Sequence, residues 1–359
     1  MNNVTVADQL PDARHEIFEM AGPDLEVREE ASFPFVPASP PSPRGPVSAA
    51  VLNAFARPPG WVDLPSFSKT DPLTNDDEAL ALYLCYELCY QGVPDCDPEW
   101  EWEPSLLELR KVLEHRYLNA LREHIPPMPQ NLRARQVVSQ LATASGPSLS
   151  KYFEEQGTIE ELREFVIHRS AYQLKEADPH TWAIPRLTGR SKAALVFIQN
   201  EEYGEGELKE MHSILFAKTM DALGLNSDYG HYIDCIPGIT LSTVNLVSLF
   251  GLHRRWRGAL VGHLALFEMV STKPNTSYAK GLRRLGLPDD AARFFDVHVV
   301  ADATHEVIAL EQLLGGLVES EAGIEPDVAF GAAALAYLDG LLTTRLLDAW
   351  TAHRSSLLA

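Results

Sequence analysis

From Asp76 onward the chain repeats one pattern, apolar residues three and four apart with polar ones between, which is the period of an amphipathic helix. The first stripe covers Ala79–Tyr90. Asn75 stands where an N-cap would, and Asp76, Asp77 and Glu78 suit the positive end of a helix in its first turn. A second stripe runs from Leu106 to Ile125 and stops at the break Pro126–Pro129. Helical patterns then recur over Asn131–Ala144, Ser148–Gln156, Ile159–Glu176, Arg190–Gln199, Glu207–Leu223, Thr240–Ser271, Ser277–Leu285, Asp289–Gly315 and Pro326–Ala352. Strand-like alternation is scarce, so the expected class is all-α: a helical bundle with an N-terminal helical extension.

The first 70 or so residues lack this pattern. Pro34, Pro37, Pro40, Pro41, Pro43 and Pro46 interrupt helix formation, because proline has no amide donor and clashes with the preceding turn. Residues 1–70 therefore read as a poorly ordered or wrapping arm, with Phe33, Phe35, Phe55 and Trp61 as apolar anchors. Residues 71–150 read as the extension and 151–359 as the main bundle.

Composition narrows the function. At 359 residues and 45% hydrophobic, the chain can bury a sizeable core. Its formal charge of −20 argues against nucleic acid or an anionic membrane as the main partner, since both favour a basic face. The charge suits solubility in a simply acidic protein, or a cationic or amine-bearing substrate. No apolar run reaches the roughly 18 residues a spanning helix needs, and no signal-peptide pattern opens the sequence. A cytoplasmic protein is expected, with Cys85, Cys89, Cys96 and Cys235 as reduced, mostly buried thiols. No G-x-G-x-x-G is present; Gly204-Glu205-Gly206 reads as a turn.

The candidate chemistry lies in the later helices. In His298-x-x-x-Asp302-x-x-His305, positions i, i+4 and i+7 fall on one helix face. Phe294, Phe295, Val299, Ala301 and Val307 make the surroundings apolar. Two imidazoles and a carboxylate pointing into such a face need a partner. Iron suits that donor set, although a solvated stripe or a pair of hydrogen-bonded core histidines has the same spacing. Glu268 interrupts the apolar run Leu260–Val270, where a surface role is hard to assign. Glu176, Glu202 and His212 add further acids and an imidazole, so that four helices supply ligand types, as di-iron carboxylate bundles require. Arg169, Arg186, Arg254, Arg255 and Arg257 are candidates to hold a substrate carboxylate. Glu201, Glu205 and Asp178 are candidates to receive an ammonium group, with structural ion pairs and a solvated face as the alternatives.

Several of these stretches form longer motifs: Arg169-Ser170-Ala171-Tyr172-Gln173-Leu174-Lys175-Glu176-Ala177-Asp178-Pro179-His180; Glu201-Glu202-Tyr203-Gly204-x-Gly206 with His212; and Asn245 to Arg255. Gly262-His263-Leu264-Ala265-x-x-Glu268 and the His298/Asp302/His305 triplet complete the series. In this order they resemble the iron-containing redox enzyme family of the haem-oxygenase-like diiron oxidases, over roughly residues 75–350. The resemblance implies a haem-oxygenase-like bundle that binds two Fe(II)/Fe(III) ions and uses O2 and an external reductant. It assigns as metal ligands Glu176 from the first core helix, His212 from the second, Glu268 between or beside the irons, and His298, Asp302 and His305 from one helix. Glu202, ten residues before His212, matches an extra carboxylate of N-oxygenating relatives and is the residue expected to steer the reaction.

An N-oxygenase acting on an amine or amino-acid-derived substrate in specialised metabolism is thus the leading expectation. Oxidative C–C cleavage or desaturation of an amino or fatty acid is the alternative within the fold. An iron-binding interaction protein without turnover is the alternative outside it. A haem oxygenase proper would leave the acids unexplained. The expected partners are the small substrate and an electron donor, without nucleic acid or membrane; a homodimer is compatible with the amphipathic helices.

Overall fold

The chain's computed structural model describes residues 39–358, apart from the side chains of Asp302 and Ala303. Phe33, Phe35, Pro34 and Pro37 lie outside these residues. All regular structure described is helical, and the fold class is all-α.

The stretch read as an arm contains a helix, α1 (Pro46–Phe55), with Pro46 at its first turn, where the missing amide costs nothing. Its N-terminus is met by the next helix, α2 (Asp76–Glu87): Val47 N and Ser48 N donate to the two Asp77 oxygens at 2.9 and 2.7 Å. Asn75 caps α2 through Asp77 N and Glu78 N. Phe55 is buried near Trp100, whereas Trp61 is largely exposed. Next come α3 (Pro104–His124), α4 (Ala134–Ala142) and α5 (Leu149–Glu155).

The core helices are α6 (Ile159–Gln173), the short α7 (Asp178–Thr181), α8 (Gly189–Glu202), α9 (His212–Ala222), α10 (Gly238–Leu252), α11 (Arg257–Arg284) and α12 (Asp289–Val307). A π-helical segment, Ile308–Leu314, leads into α13 (Gly315–Ser320), and α14 (Glu325–Thr351) closes the bundle. The long helix α11 is the hub, packing on α12, α14 and α5, while α9 packs on α12 and α8 on the π segment. Gly262 and Gly331 let α11 and α14 touch backbone to backbone. A Cβ on Gly262 would lie 1.9 Å from Val328 O, and one on Gly331 1.9 Å from Ala259 O.

Several boundaries differ from the sequence expectation. The segment Thr240–Ser271 is two helices, divided at His253, and the second continues through Pro274 to Arg284. The division has a tertiary cause. Arg186, from the loop after α7, donates to Gly251 O and to Leu252 O, so a distant side chain caps α10. Pro274 lies inside that helix, and Val270, four residues back, to whose carbonyl a proline cannot donate, is a partly exposed residue. The helix expected from Glu207 starts only at His212, and α6 ends at Gln173 rather than Glu176. The four cysteines are unpaired; only Cys85 is buried, and the other three are half-buried, against the expectation of mostly buried thiols. No helix among the described residues is long and apolar enough to cross a membrane.

Candidate metal centre

Every sequence-assigned ligand whose side chain is described is buried and lies in one cluster. Glu176, Glu202, His212 and His298 each offer one ligand atom, all within 4.8 Å of one another; Glu202, Glu268 and His305 do the same. Glu202 belongs to both groups. The side chain of Asp302 lies outside the described residues.

Each side chain reaches the cluster by a specific local device. Glu176 is not on a helix. It sits in the turn between α6 and α7, followed by Ala177 at φ 76°, an uncommon conformation for a residue with a Cβ. Gln199 of α8 holds that turn, donating from Nε2 to Ala177 O at 2.8 Å and to Thr181 Oγ1 at 2.6 Å. Glu202 ends α8 and His212 starts α9. The loop between them is folded tightly at Gly204 (φ 62°), where a Cβ would lie 2.6 Å from Met211 N. Only glycine fits there, and the turn brings Glu202 Oε2 to 2.7 Å from His212 Nδ1.

Glu268 projects from the middle of α11. On α12, His298 and His305 share a face but are seven residues apart, about 10 Å of helix rise. Accordingly they join different groups. His298 Nε2 lies 3.8 Å from Glu176 Oε1, while His305 Nδ1 lies 3.3 Å from Glu268 Oε2 and 3.8 Å from Glu202 Oε1.

The electrostatics are those of acids without enough cation. Burial holds the Glu176 carboxyl above its ordinary range, with His298 opposing. Burial alone would also raise Glu202, but His212, then His298 and His305, outweigh it and bring it down to about 2. Burial disfavours a charged His305, yet Glu268, Glu202 and Glu201 push its imidazolium up to about 9. Among the described residues, Glu176 Oε2 is an enclosed atom without a hydrogen bond, while Glu202 Oε2 and His212 Nδ1 have only each other, at 2.7 Å. Unpaired buried acceptors are costly, and a metal ion is the partner their chemistry fits. Carboxylate oxygens and imidazole nitrogens, with no thiolate, suit iron.

A small cavity adjoins the cluster. Besides ligand candidates it is lined by Tyr172, His180, Gln199, Phe267 and Ser271, and by no lysine or arginine. His180 and His263 form a buried pair, Nε2 to Nδ1 at 3.2 Å, and burial keeps His180 down at about 4. Both histidines stand within the motifs of the sequence, at positions to which the resemblance assigns no ligand. Of the arginines weighed as carboxylate binders, Arg169 pairs with Asp339, Arg186 caps α10, Arg257 pairs with Glu321, and Arg255 stacks over Trp256. Of the acids weighed as ammonium receivers, Asp178 accepts from Tyr203 OH and Glu201 from His305.

The model of the iron-containing redox enzyme family matches residues 163–340. Residues 163–340 belong to the iron-containing redox enzyme family. The match begins inside α6, ends inside α14, and includes all seven assigned ligand positions. No curated protein matches the chain. The match over residues 163–340 supports an oxidoreductase and agrees with the all-α, haem-oxygenase-like architecture. Within that family's span, the buried glutamates and histidines supply what an iron site needs.

Proposed function

We propose that the chain is a non-haem diiron oxygenase that oxygenates the nitrogen of an amine or amino-acid-derived substrate, with O2 as co-substrate and an external reductant. The observation that carries this reading is the place of Glu202. It is the residue that matches the extra carboxylate of N-oxygenating relatives, and it stands inside the cluster, shared by both ligand groups. Glu176, Glu202, His212 and His298 would hold one iron, and Glu202, Glu268 and His305 the other, with Asp302 as the seventh ligand. The four carboxylates of this set (Glu176, Glu202, Glu268, Asp302) match the four positive charges of two Fe(II) ions.

When bound, the irons supply the redox chemistry that activates O2. The chain's own residues set the rest. The cavity walls of Tyr172, Leu264 and Phe267 limit water, and a lining without lysine or arginine favours a nitrogen-bearing end over a carboxylate. His180, kept neutral by burial, can donate or accept a single hydrogen bond toward the cavity.

The test is an anaerobic Fe(II) titration followed by 18O2 with a panel of amines. Two irons per chain and label retained on nitrogen are expected. Glu202→Ala should cut N-oxygenation at least tenfold while the protein stays folded; unchanged turnover would remove its role. A lost carbon fragment or an alkene would instead point to C–C cleavage or desaturation, and iron uptake without O2 consumption to a binding protein.

A further inference from the structure

Two consecutive acids at the end of α8 bracket one imidazole. Glu202 approaches His305 from the Nδ1 side, at 3.8 Å, while the Glu201 carboxylate is hydrogen-bonded to Nε2. Successive residues of a helix point about 100° apart, so neighbours can reach opposite edges of a ring lying between them. Glu201 is about 29% exposed at its side chain and His305 fully enclosed, so the acid comes from the rim of the site and the ring lies within it.

A carboxylate accepts and does not donate, so Nε2 carries the hydrogen of this bond. In the neutral ring that a metal needs, Nε2 keeps its hydrogen for Glu201, and the nitrogen left to bind is Nδ1, which faces Glu268 at 3.3 Å and the shared Glu202. His298 is tied the other way round. Its Nδ1 lies 2.6 Å from Phe294 O, a carbonyl that can only accept, and its Nε2 faces Glu176.

We infer that Glu201 is a positioning residue which fixes His305 as an Nδ1 ligand, whereas Phe294 O fixes His298 as an Nε2 ligand. The inference rests on the diiron reading and adds the orientation of its two α12 histidines. It also removes Glu201 from the candidates for a substrate ammonium, because that carboxylate is already engaged. Outer hydrogen bonds of this kind hold a ring in the plane its metal requires, and their loss typically weakens metal binding about 10- to 100-fold.

The experiment uses the full chain labelled with 15N-histidine and loaded with Zn(II), a diamagnetic probe. Long-range 1H–15N spectra distinguish the two imidazole patterns. One histidine is expected with hydrogen on Nε2 and metal on Nδ1, and His305→Gln should delete that signal. Glu201→Ala should weaken metal at the Glu202/Glu268/His305 group at least tenfold. Glu201→Gln, which keeps an acceptor oxygen, should restore most of the loss, a rescue that a mere packing role would not produce. Metal on Nε2 of His305, or unchanged affinity in Glu201→Ala, would overturn the inference and leave the diiron reading standing. Failure of the wild-type chain to take up metal would instead overturn both.

Discussion

Lys175 and Glu176 are neighbours in sequence and both buried, yet they belong to clusters of opposite kind. The Lys175 ammonium meets the Glu87 carboxylate, whose other oxygen accepts from Tyr229 OH at 2.5 Å. The faces of Tyr90 and Tyr83 lie 4.2 and 5.0 Å from the same nitrogen. One cation, one anion and aromatic faces close that cluster within the chain. Around Glu176 three glutamates gather with histidines, with no lysine or arginine in the cavity lining. Burying charge costs both clusters. The first offsets the cost with its own residues, and the second leaves it for a cation from outside. A buried charge therefore indicates a site only when its partner is missing from the fold.

The largest expected effect comes from opening the closed cluster. Lys175→Met strands Glu87 without its cation and should lower stability by about 3–5 kcal/mol in urea unfolding. The double variant with Glu87→Gln should recover most of that loss. A change below about 1 kcal/mol for Lys175→Met would mean the pair contributes little and the contrast is false.

Filling the open cluster comes next. Fe(II) under anaerobic conditions should stabilise the wild-type chain, by about 2.7 kcal/mol at a hundredfold excess over Kd. Glu176→Gln should fold and lose that gain, whereas the Lys175→Met/Glu87→Gln double variant, if folded, should keep it. Equal gains in all three would place the metal elsewhere.

Protons should report the same difference. In the metal-free chain His305 is raised to about 9, so its contribution to stability is fully present below its ordinary value near 6.5 and is lost as pH rises through about 9. A metal needs the neutral ring. Uptake near pH 7 should therefore release a proton from this site, seen by calorimetry in buffers of different ionisation enthalpy, and affinity should rise with pH by up to about tenfold per unit until about pH 9. Absence of proton release would mean the imidazole is already neutral.

Per pH unit a smaller effect lies on the acid side, away from the metal. His168 is held between Thr240 Oγ1 and Ser356 Oγ, and burial depresses it to about 3. It is neutral in the fold and protonated in the unfolded chain below about 6.5. Stability should therefore fall as pH drops from 6.5, at up to about 1.4 kcal/mol per unit from this group. His168→Gln should flatten that slope without touching Fe(II) affinity.

Much of the molecule was legible in the chain. The 3.6-residue period gave the helices, and Asn75 gave a cap that the structure contains. The spacing of His298 and His305 put both on one face of α12. Less legible were the places where one segment answers to another. The gap expected between Ser271 and Ser277 is helix in the structure, with Pro274 inside it, while the break at His253 depends on Arg186. Glu176 looked helical, but the Ala177 turn held by Gln199 carries it. Glu201 and Glu202 are the same residue type side by side, and only the position of His305 between them separates their roles.

By itself the sequence determined which residues are apolar on which face, and which donors the chain can offer, because periodicity and side-chain chemistry are local properties. Only the tertiary structure decided that Glu202 is shared by two ligand groups, that four of the five candidate arginines are engaged elsewhere, and which nitrogen of His298 faces Glu176 and which of His305 faces Glu268. Those facts depend on distances between segments far apart in the chain, and side-chain packing fixes such distances where residue order does not.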